Sequence, residues 1–368
     1  MVIYFFFTLS VLNTDAQSDY QIFKDSATFQ RNDTGKLSVE LDNLNYLRNY
    51  EYFGKIPLSY TLFGYQLIPQ LKYQFNQFFS LKGGAFVRRE FGLKDFVNIT
   101  PMFTAKYQKN GFSFLLGSLE GSLNHRFIEP IYNLERFIND RIEQGAQAIL
   151  DKKSLWADWY IDWEKAIKRY SPYREEFTTG VSSRIKLFDI KNVNVEIPIQ
   201  AITAHKGGQI DSSGLPVETL LNTAAGVSLN FRTISEFLPA IRTEHYFVYY
   251  KDLSEINLQL YKEGMGFLSS VTFKTKYIDV DLRHWWGDKF FGPRGTPLYS
   301  SISEQSRNFG EEKRHLLFLN LIYDRQLFKN IFIHLRFEPY YDFRNEMVEY
   351  AYSVFLRFRK DFLIAKLK

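Results

Sequence analysis

Residues 330–342 read Asn-Ile-Phe-Ile-His-Leu-Arg-Phe-Glu-Pro-Tyr-Tyr-Asp, and this stretch decides the fold. Its odd positions from 331 to 337 are Ile, Ile, Leu and Phe, whereas its even positions from 334 to 342 are His, Arg, Glu, Tyr and Asp. The same period of two recurs in 350–359 and 155–164. A period of two indicates β-strands, and segments of about ten residues with one charged face are typical of strands that separate lipid from water.

Segments with this pattern follow one another along most of the chain, and their connections alternate between short and long. The exceptions are the connections at Gln66 and 343–346, and the strongest hairpin signal is Asn110-Gly111. The predicted strands lie near 56–65, 67–76, 79–90, 97–108, 111–121, 141–151, 154–165, 174–188, 192–206, 218–233, 237–250, 263–275, 277–287, 314–326, 330–342 and 347–360. Short periplasmic turns and longer external loops are typical of outer-membrane barrels. The sequence therefore predicts an all-β, transmembrane antiparallel β-barrel of about 16 strands, within a range of about 14–18.

The composition agrees with a lipid-facing wall. Aromatic residues make up 18% of the chain, although 24% of the residues are charged and the mean hydropathy is −0.27. An aromatic-rich soluble β-sandwich is the alternative that composition alone leaves open. The absence of cysteine excludes disulfides and thiolate metal sites. The net charge of +5 comes from dispersed residues, so nucleic acid is not an expected partner.

The N-terminal residues are predicted to be a signal peptide. An apolar run at the start is too short to cross a bilayer as a helix, and small residues after it place a cleavage site behind Ala16. We expect residues 1–16 to be the signal peptide and residues 56–368 to form the barrel. Residues 17–55 are expected to lie in the periplasm or to add a further hairpin.

One face of each predicted strand is assigned to the lumen, and that face carries both signs of charge. Mixed signs predict no strong selectivity for anions or cations, because neighbouring strands can pair opposite charges. These residues either contact a solute or form a salt-bridged wall. The lumen and solute-contact candidates are Asp158, Asp162, Glu164, Arg184, Glu196, Gln200, Asp279, Asp281, Arg283, Arg336, Glu338 and Arg357. A barrel of this size holds an aqueous channel unless loops plug it.

The external loops supply a second group of candidates. The segment Trp285–Gly295 begins with two tryptophans at a strand end, where an interfacial aromatic belt would place them. The alternative is that residues 288–313 fold into the mouth, where they would narrow the pore or stack on a sugar ring. Gly207-Gly208 permits a tight inward turn. The mouth-loop candidates are His205, Gln209, Trp285, Trp286 and Arg294.

No catalytic residue, metal site or cofactor is predicted. His125, His205 and His284 fall at external strand ends, but they lie four strands apart, roughly 20 Å along the wall, and zinc needs its ligands at about 2 Å. A hydrolase site requires a nucleophile with a base and an orienting acid. No motif places any serine in such a triad; the serines considered are Ser182, Ser183, Ser300 and Ser301. The chain is therefore expected not to be an enzyme.

With its strand ladder and a leader ending in Asp15-Ala16-Gln17, the chain resembles the porin-like outer-membrane β-barrel proteins of the Bacteroidetes. The phrases that look like family signatures are Asn49–Gly54, Trp159–Glu164 and His205–Gln209. The chain departs from the pattern of these barrels at its C-terminus. Such barrels usually end on an aromatic residue, whereas this chain continues past Phe362 to Leu367-Lys368. The resemblance implies a location in the cell outer membrane.

The leading functional hypothesis is a channel that passes small hydrophilic solutes, saccharides among them. The first alternative is a non-conducting barrel for assembly or export of a surface polymer or protein. The second alternative is an outer-membrane enzyme that acts on lipid or glycan. The expected partners are outer-membrane lipid and a small polar solute, and the sequence leaves the oligomeric state open.

Overall fold

The computed structural model describes residues 20–24, 33–208 and 210–367, and in these residues sixteen antiparallel strands form one closed barrel. The strands are β1 (Lys36–Glu51), β2 (Thr61–Gln74), β3 (Phe79–Glu90), β4 (Asn98–Lys109), β5 (Phe112–Ser118), β6 (Gln144–Asp151), β7 (Leu155–Lys165), β8 (Glu176–Ile190), β9 (Val193–Lys206), β10 (Glu218–Arg232), β11 (Ala240–Asp252), β12 (Glu263–Lys274), β13 (Asp279–Asp288), β14 (Lys313–Phe328), β15 (Ile331–Asp342) and β16 (Met347–Lys366). Consecutive strands pair, and β1 closes the ring against β16. The predicted fold class and strand number are confirmed.

The start of the barrel differs from the prediction. The predicted strands 56–65 and 67–76 form the single strand β2, in which Gln66 is no turn residue: its buried amide donates to the carbonyls of Phe137 and Ile138 at 3.1 and 2.9 Å. The barrel begins with β1 at Lys36 rather than at residue 56. The turn predicted at Gln66 is therefore wrong, because the polar side chain of this residue faces a polar lumen within a continuous strand. The predicted signal peptide lies outside the described residues.

The connections alternate in length as predicted. In the turn between β4 and β5, Asn110 and Gly111 have φ angles of 50° and 73°, as a two-residue hairpin turn requires. On the opposite side of the barrel, the longest loops are 119–143 and 289–312. β16 pairs with β1 as far as Lys366, past its predicted end at residue 360. The short turns mark the periplasmic side, and the long loops mark the external side.

Apolar and charged side chains lie on opposite faces of the wall. On the outside, Val354 and Leu356 are each 40% exposed, whereas on the inside Arg336 is 3% exposed and Arg357 is 1% exposed. Directly opposite residues in an antiparallel ladder share a face, so one register fixes this separation around the ring. The lipid-facing wall and the charged lumen predicted from the alternation are confirmed.

Three segments fill the lumen, and they carry the helical turns of the described residues. These turns are Gln21–Phe23, Ser122–His125, α1 (Arg136–Asn139) and Pro297–Tyr299. Among the described residues, no helix is long and apolar enough to cross a membrane. Phe23 of the N-terminal segment packs edge-on against Phe137 of loop 119–143, with ring centroids 5.0 Å apart. We call loop 119–143 the plug loop.

The plug loop and loop 289–312 pack against each other inside the external mouth. A Cβ atom at Gly295 would lie 1.9 Å from the carbonyl oxygen of Pro130, so only glycine fits where the two loops cross. Phe290 and Tyr299 of the second loop are buried. These contacts close off much of the width that a barrel of about sixteen strands would otherwise leave open to water.

Candidate active site on the lipid-facing wall

The twelve predicted lumen residues all occupy inward-facing strand positions. Charged members pair with other wall or plug residues: Arg184 with Glu196 at 3.4 Å, and Arg283 with Glu129 of the plug loop at 3.0 Å. The other charged members also form ion pairs or hydrogen bonds, and they are Asp158, Asp162, Glu164, Asp279, Asp281, Arg336, Glu338 and Arg357. The side chain of Gln200 hydrogen-bonds to the backbone of the plug loop. Of the two predicted alternatives, this pairing agrees with a salt-bridged wall. A role in solute contact stays a prediction.

The mouth-loop candidates separate onto two faces. Trp286 is 38% exposed on the outer wall, where an aromatic belt would place it. Trp285 is fully buried on the lumen side, packed edge-on against Phe290, so the belt prediction is wrong for this residue. Arg294 lies in the mouth and pairs with Glu164. His205 faces outward near the rim. Gln209 lies outside the described residues.

One histidine lies inside the barrel between two carboxylates. His125 Nδ1 is 2.7 Å from Asp158, and Nε2 is 2.6 Å from Glu143. Burial would lower the pKa of His125, but Glu143 and Asp158 raise it to about 10. Both ring nitrogens are occupied and the side chain is fully buried, so His125 has no nitrogen with which to activate a nucleophile. It fastens the plug loop to the wall.

A different group of polar side chains lies on the outer wall, where most of the large exposed side chains are apolar. We call His245, Ser269, His284 and His315 the outer-wall cluster. In the β11–β12–β13 register, His245 is directly opposite Ser269 and Ser269 is directly opposite His284. Directly opposite residues share a face and have Cβ atoms about 5 Å apart. Three neighbouring strands thus present a histidine–serine–histidine row to the membrane.

The serine of this row contacts an imidazole. Ser269 Oγ lies 2.8 Å from His245 Nδ1, within hydrogen-bond distance. The His245 ring lies nearly parallel to that of Phe267, at an interplanar angle of 13°. Phe267 and Phe247 on the same strands are both more than two-fifths exposed to the outside. The hydroxyl–imidazole pair is therefore embedded in an apolar, lipid-facing surface.

The other end of the cluster rises towards the external rim. His284 Nε2 lies 2.7 Å from Nε2 of His315, the third residue of β14. The His315 ring stacks on Phe343, with centroids 4.2 Å apart and an interplanar angle of 18°. Ser269 itself lies midway along β12. The cluster therefore extends from mid-height of the wall to the level of the external turns.

Stability does not explain polar residues in this position. An arginine or lysine on the lipid face costs roughly 2–4 kcal/mol at mid-bilayer, and an ionisable residue within the membrane is by default a functional-site hypothesis. Serine beside a histidine base is a nucleophile for acyl transfer, and a positioned base of this kind contributes about 10²–10⁴-fold to a rate. The arrangement is chemically suited to ester hydrolysis.

The serines considered from the sequence do not form such a site. Ser300 and Ser301 are buried in loop 289–312 and hydrogen-bond to backbone carbonyls within it. Ser182 is buried on the lumen side. Ser183 faces outward, but its hydroxyl donates to the carbonyl of Ile199 at 3.2 Å. Among the described residues, no group of three His, Cys, Asp or Glu side chains is arranged to hold a metal ion.

A second hydroxyl–imidazole pair lies at the rim. His205 Nδ1 is 2.9 Å from Thr219 Oγ1, and the His205 ring stacks on Phe177 with centroids 4.6 Å apart. Thr219 has a secondary, more hindered hydroxyl. The row at Ser269 has a histidine on each side of its hydroxyl, so we take it as the candidate active site and use the rim pair for comparison.

A family model covers nearly the whole chain, from residue 29 to residue 367, and is described as lipid A 3′-O-deacylase-type. The chain belongs to this family. Because the lipid A 3′-O-deacylase-type family is one of enzymes, the expectation that the chain is not an enzyme is wrong. The porin-like resemblance inferred from the sequence identified an outer-membrane barrel correctly, but it did not identify this family. A comparison with curated proteins gave no match.

Solved structures of other outer-membrane proteins have the same architecture as this member of the deacylase-type family. A loop-deletion mutant of OmpT, an outer membrane protein of Vibrio cholerae, aligns with a TM-score of 0.52 at 8% identity and covers 88% of this chain and 99% of its own. The outer membrane protein OprD of Pseudomonas aeruginosa aligns with a TM-score of 0.50 at 9% identity and covers 93% and 97%. At these identities the likeness shows the fold alone. Together with the apolar outer wall, this barrel fold bears out the predicted location in the outer membrane.

The sequence contained one sign of the outer-wall cluster. His245, Ser269 and His284 fall on the outward phase of their strands, where apolar residues are expected. Each taken alone is an ordinary interruption of an alternating pattern. Only the strand register places the three side by side, and a register cannot be read from one strand at a time.

Proposed function

We propose that the protein is an outer-membrane ester hydrolase that removes acyl chains from a membrane lipid, with Ser269 as nucleophile and His245 as base. The observation that carries the proposal is the Ser269–His245 pair on the lipid-facing wall, 2.8 Å apart. A lipid that diffuses in the bilayer reaches this hydroxyl without leaving the membrane. Membership of the deacylase-type family supports the same reaction class.

The reaction would proceed in two acyl-transfer steps. Ser269 Oγ adds to the acyl carbonyl carbon while His245 Nδ1 accepts its proton. The bond from the carbonyl carbon to the lipid alcohol then breaks, and the same proton passes to the leaving alcohol oxygen. Water, activated by His245, releases the fatty acid and restores the serine. His284, directly opposite Ser269 on the neighbouring strand, would orient the ester.

Lipid A and related acylated saccharides are the proposed substrate class. Above the cluster, the external ends of β13 to β15 carry Lys289, Lys313 and Arg344. Ammonium and guanidinium groups bind phosphate and other anionic headgroup oxygens. The apolar wall around Phe247 and Phe267 would pack against the acyl chain. Headgroup and chain would then be held on opposite sides of the scissile ester.

Hydrolysis and active-site labelling test the proposal together. Refolded protein in mixed micelles is expected to release fatty acid from lipid A and from a long-chain p-nitrophenyl ester. A fluorophosphonate probe is expected to add its phosphonyl mass to the peptide that contains Ser269, because only an activated serine reacts with it. Fatty-acid release without labelling of Ser269 would assign the activity to another residue. Absence of release would remove the proposal.

A channel is the second candidate, because barrels of sixteen strands commonly enclose a water-filled pore. In planar bilayers we expect the wild-type protein to show no steps as large as those of open sixteen-strand porins, because the plug loop and loop 289–312 occupy the lumen. Ohmic steps of full porin size would contradict this expectation. Such steps would make solute passage the better-supported function.

A further inference from the structure

Three lysines point into the lumen near its periplasmic end, on the side of the barrel away from the outer-wall cluster. Lys72 of β2 is directly opposite Lys82 of β3 in the ladder. Lys106 of β4 pairs with Ser80, two residues from Lys82, so it is a diagonal neighbour of Lys82. Like charges directly opposite each other destabilise a sheet. Stability therefore does not account for this arrangement.

Acidic groups neutralise part of this charge. Lys82 lies 2.8 Å from Glu40, and Lys106 lies 2.6 Å from Glu120 of the plug loop. Glu40 is shared, because Arg359 also pairs with it at 2.6 Å. One carboxylate thus serves two cations at the same place.

Lys72 makes no such direct contact with a carboxylate, although Asp361 and Glu40 attract its ammonium from a greater distance. It is only 9% exposed, and within the described part of the chain it makes no hydrogen bond or ion pair. The hydroxyl of Ser118 is also buried and has no hydrogen-bond partner there. A buried hydroxyl without a hydrogen-bond partner is costly, and an ammonium that forms no ion pair is available to bind an anion. Both line the same cavity.

That cavity has room for an anion, and its lining carries excess positive charge. Its volume is about 70 Å³, which exceeds what several waters need. Among the residues that the structure describes, five cationic and three acidic side chains line it, an excess of two positive charges. The cationic side chains are Lys72, Lys82, Lys106, Arg141 and Arg359; the acidic ones are Glu40, Asp42 and Glu120. A dianion would neutralise this excess.

We propose that this cavity is a binding site for a phosphate dianion, either free or carried by a small soluble ester, that enters from the periplasmic end. Lys72 would contribute the main charge-assisted hydrogen bond, and Ser118 would donate from the opposite side. Because Glu120 and Arg141 belong to the plug loop, the bound anion would also link that loop to the wall. The site is distinct from the outer-wall cluster, and it does not depend on the proposed hydrolase activity.

Calorimetric titration of the refolded, full-length protein in detergent tests the site. Inorganic phosphate is the first probe, chloride at matched ionic strength is the second, and glucose 6-phosphate is the third. We expect phosphate to bind and chloride not to bind. Tighter binding of glucose 6-phosphate would identify a phosphate ester as the ligand, whereas binding of inorganic phosphate alone would identify the free anion. Failure of both phosphate probes to bind would overturn the proposal.

Lys72→Gln is the decisive variant, and Lys274→Gln is its matched control. Lys274 also faces the lumen, but it pairs with Asp279 and lines a different cavity. Because Lys72→Gln removes a charge-assisted hydrogen bond, it should weaken phosphate binding about tenfold or more. Lys274→Gln should leave phosphate binding unchanged. Equal weakening in both variants would overturn the site. Ester hydrolysis should be unaffected by Lys72→Gln, so failure of one proposal is distinguishable from failure of the other.

Discussion

Ser269→Ala is expected to lower the kcat of ester hydrolysis by a factor on the order of 10³, because it removes the only atom proposed to form the acyl-enzyme. His245→Gln should lower kcat on the order of 10²-fold, since the serine then loses its base. The measurement is fatty-acid release from lipid A in mixed micelles, with folding of each variant checked by its heat-modifiable electrophoretic mobility. KM should change little, because the acyl chain and headgroup contacts remain.

Ser183→Ala is the matched control for this prediction. Ser183 also faces outward from the barrel, but its hydroxyl is bound to the carbonyl of Ile199 rather than to an imidazole. His205→Gln serves as the corresponding control for the rim pair with Thr219. Both controls should retain wild-type kcat. Full activity of Ser269→Ala, or loss of activity in His205→Gln alone, would show that the catalytic site lies elsewhere on the wall.

The architecture could be predicted from the sequence because it depends on local patterns. Alternation in residues 331–337 assigns each side chain to lipid or lumen without knowledge of the neighbouring strand. Asn110-Gly111 fixes one hairpin through its own backbone angles. Loop lengths then order the strands and place the long loops outside. Where an inward polar residue interrupted an apolar run, as at Gln66, the same reasoning divided one strand into two.

The candidate site could not be predicted because it depends on contacts between distant segments. His245 and Ser269 meet through the β11–β12 register, and His284 joins them through β12–β13. The filling of the lumen also depends on contacts between segments that are distant in the sequence. Phe23 and Phe137 are far apart in the sequence and meet inside the closed barrel. Hydrophobic patterning shows that these residues are unusual for their position, but it does not show which of them are neighbours.

Glu143→Gln is expected to release the plug loop from the wall. Glu143 is fully buried; it pairs with His125, and it accepts hydrogen bonds from the backbone N–H of Ser122 at 2.9 Å and from the hydroxyl of Tyr132. Burial would raise the pKa of Glu143, but His125 and Arg136 hold it below its usual range, so the group is ionised at neutral pH. Breaking a buried ion pair typically costs about 3–5 kcal/mol. In planar bilayers the variant should therefore show larger and more frequent conductance steps than the wild type.

Two comparisons isolate the His125–Glu143 contact. Glu176→Gln makes the same chemical change in a partly exposed pair with Lys206, where an ion pair contributes about 0–1 kcal/mol, so conductance should stay at the wild-type level. High pH should reproduce the effect of Glu143→Gln in the wild-type protein. Because the pKa of His125 is raised to about 10 in the folded state, its contribution to stability is complete below about pH 6.5 and is lost as pH rises through 10. If conductance does not change in Glu143→Gln or above pH 10, the plug loop is held mainly by its apolar packing, because the charged contact would then contribute little to keeping the lumen closed.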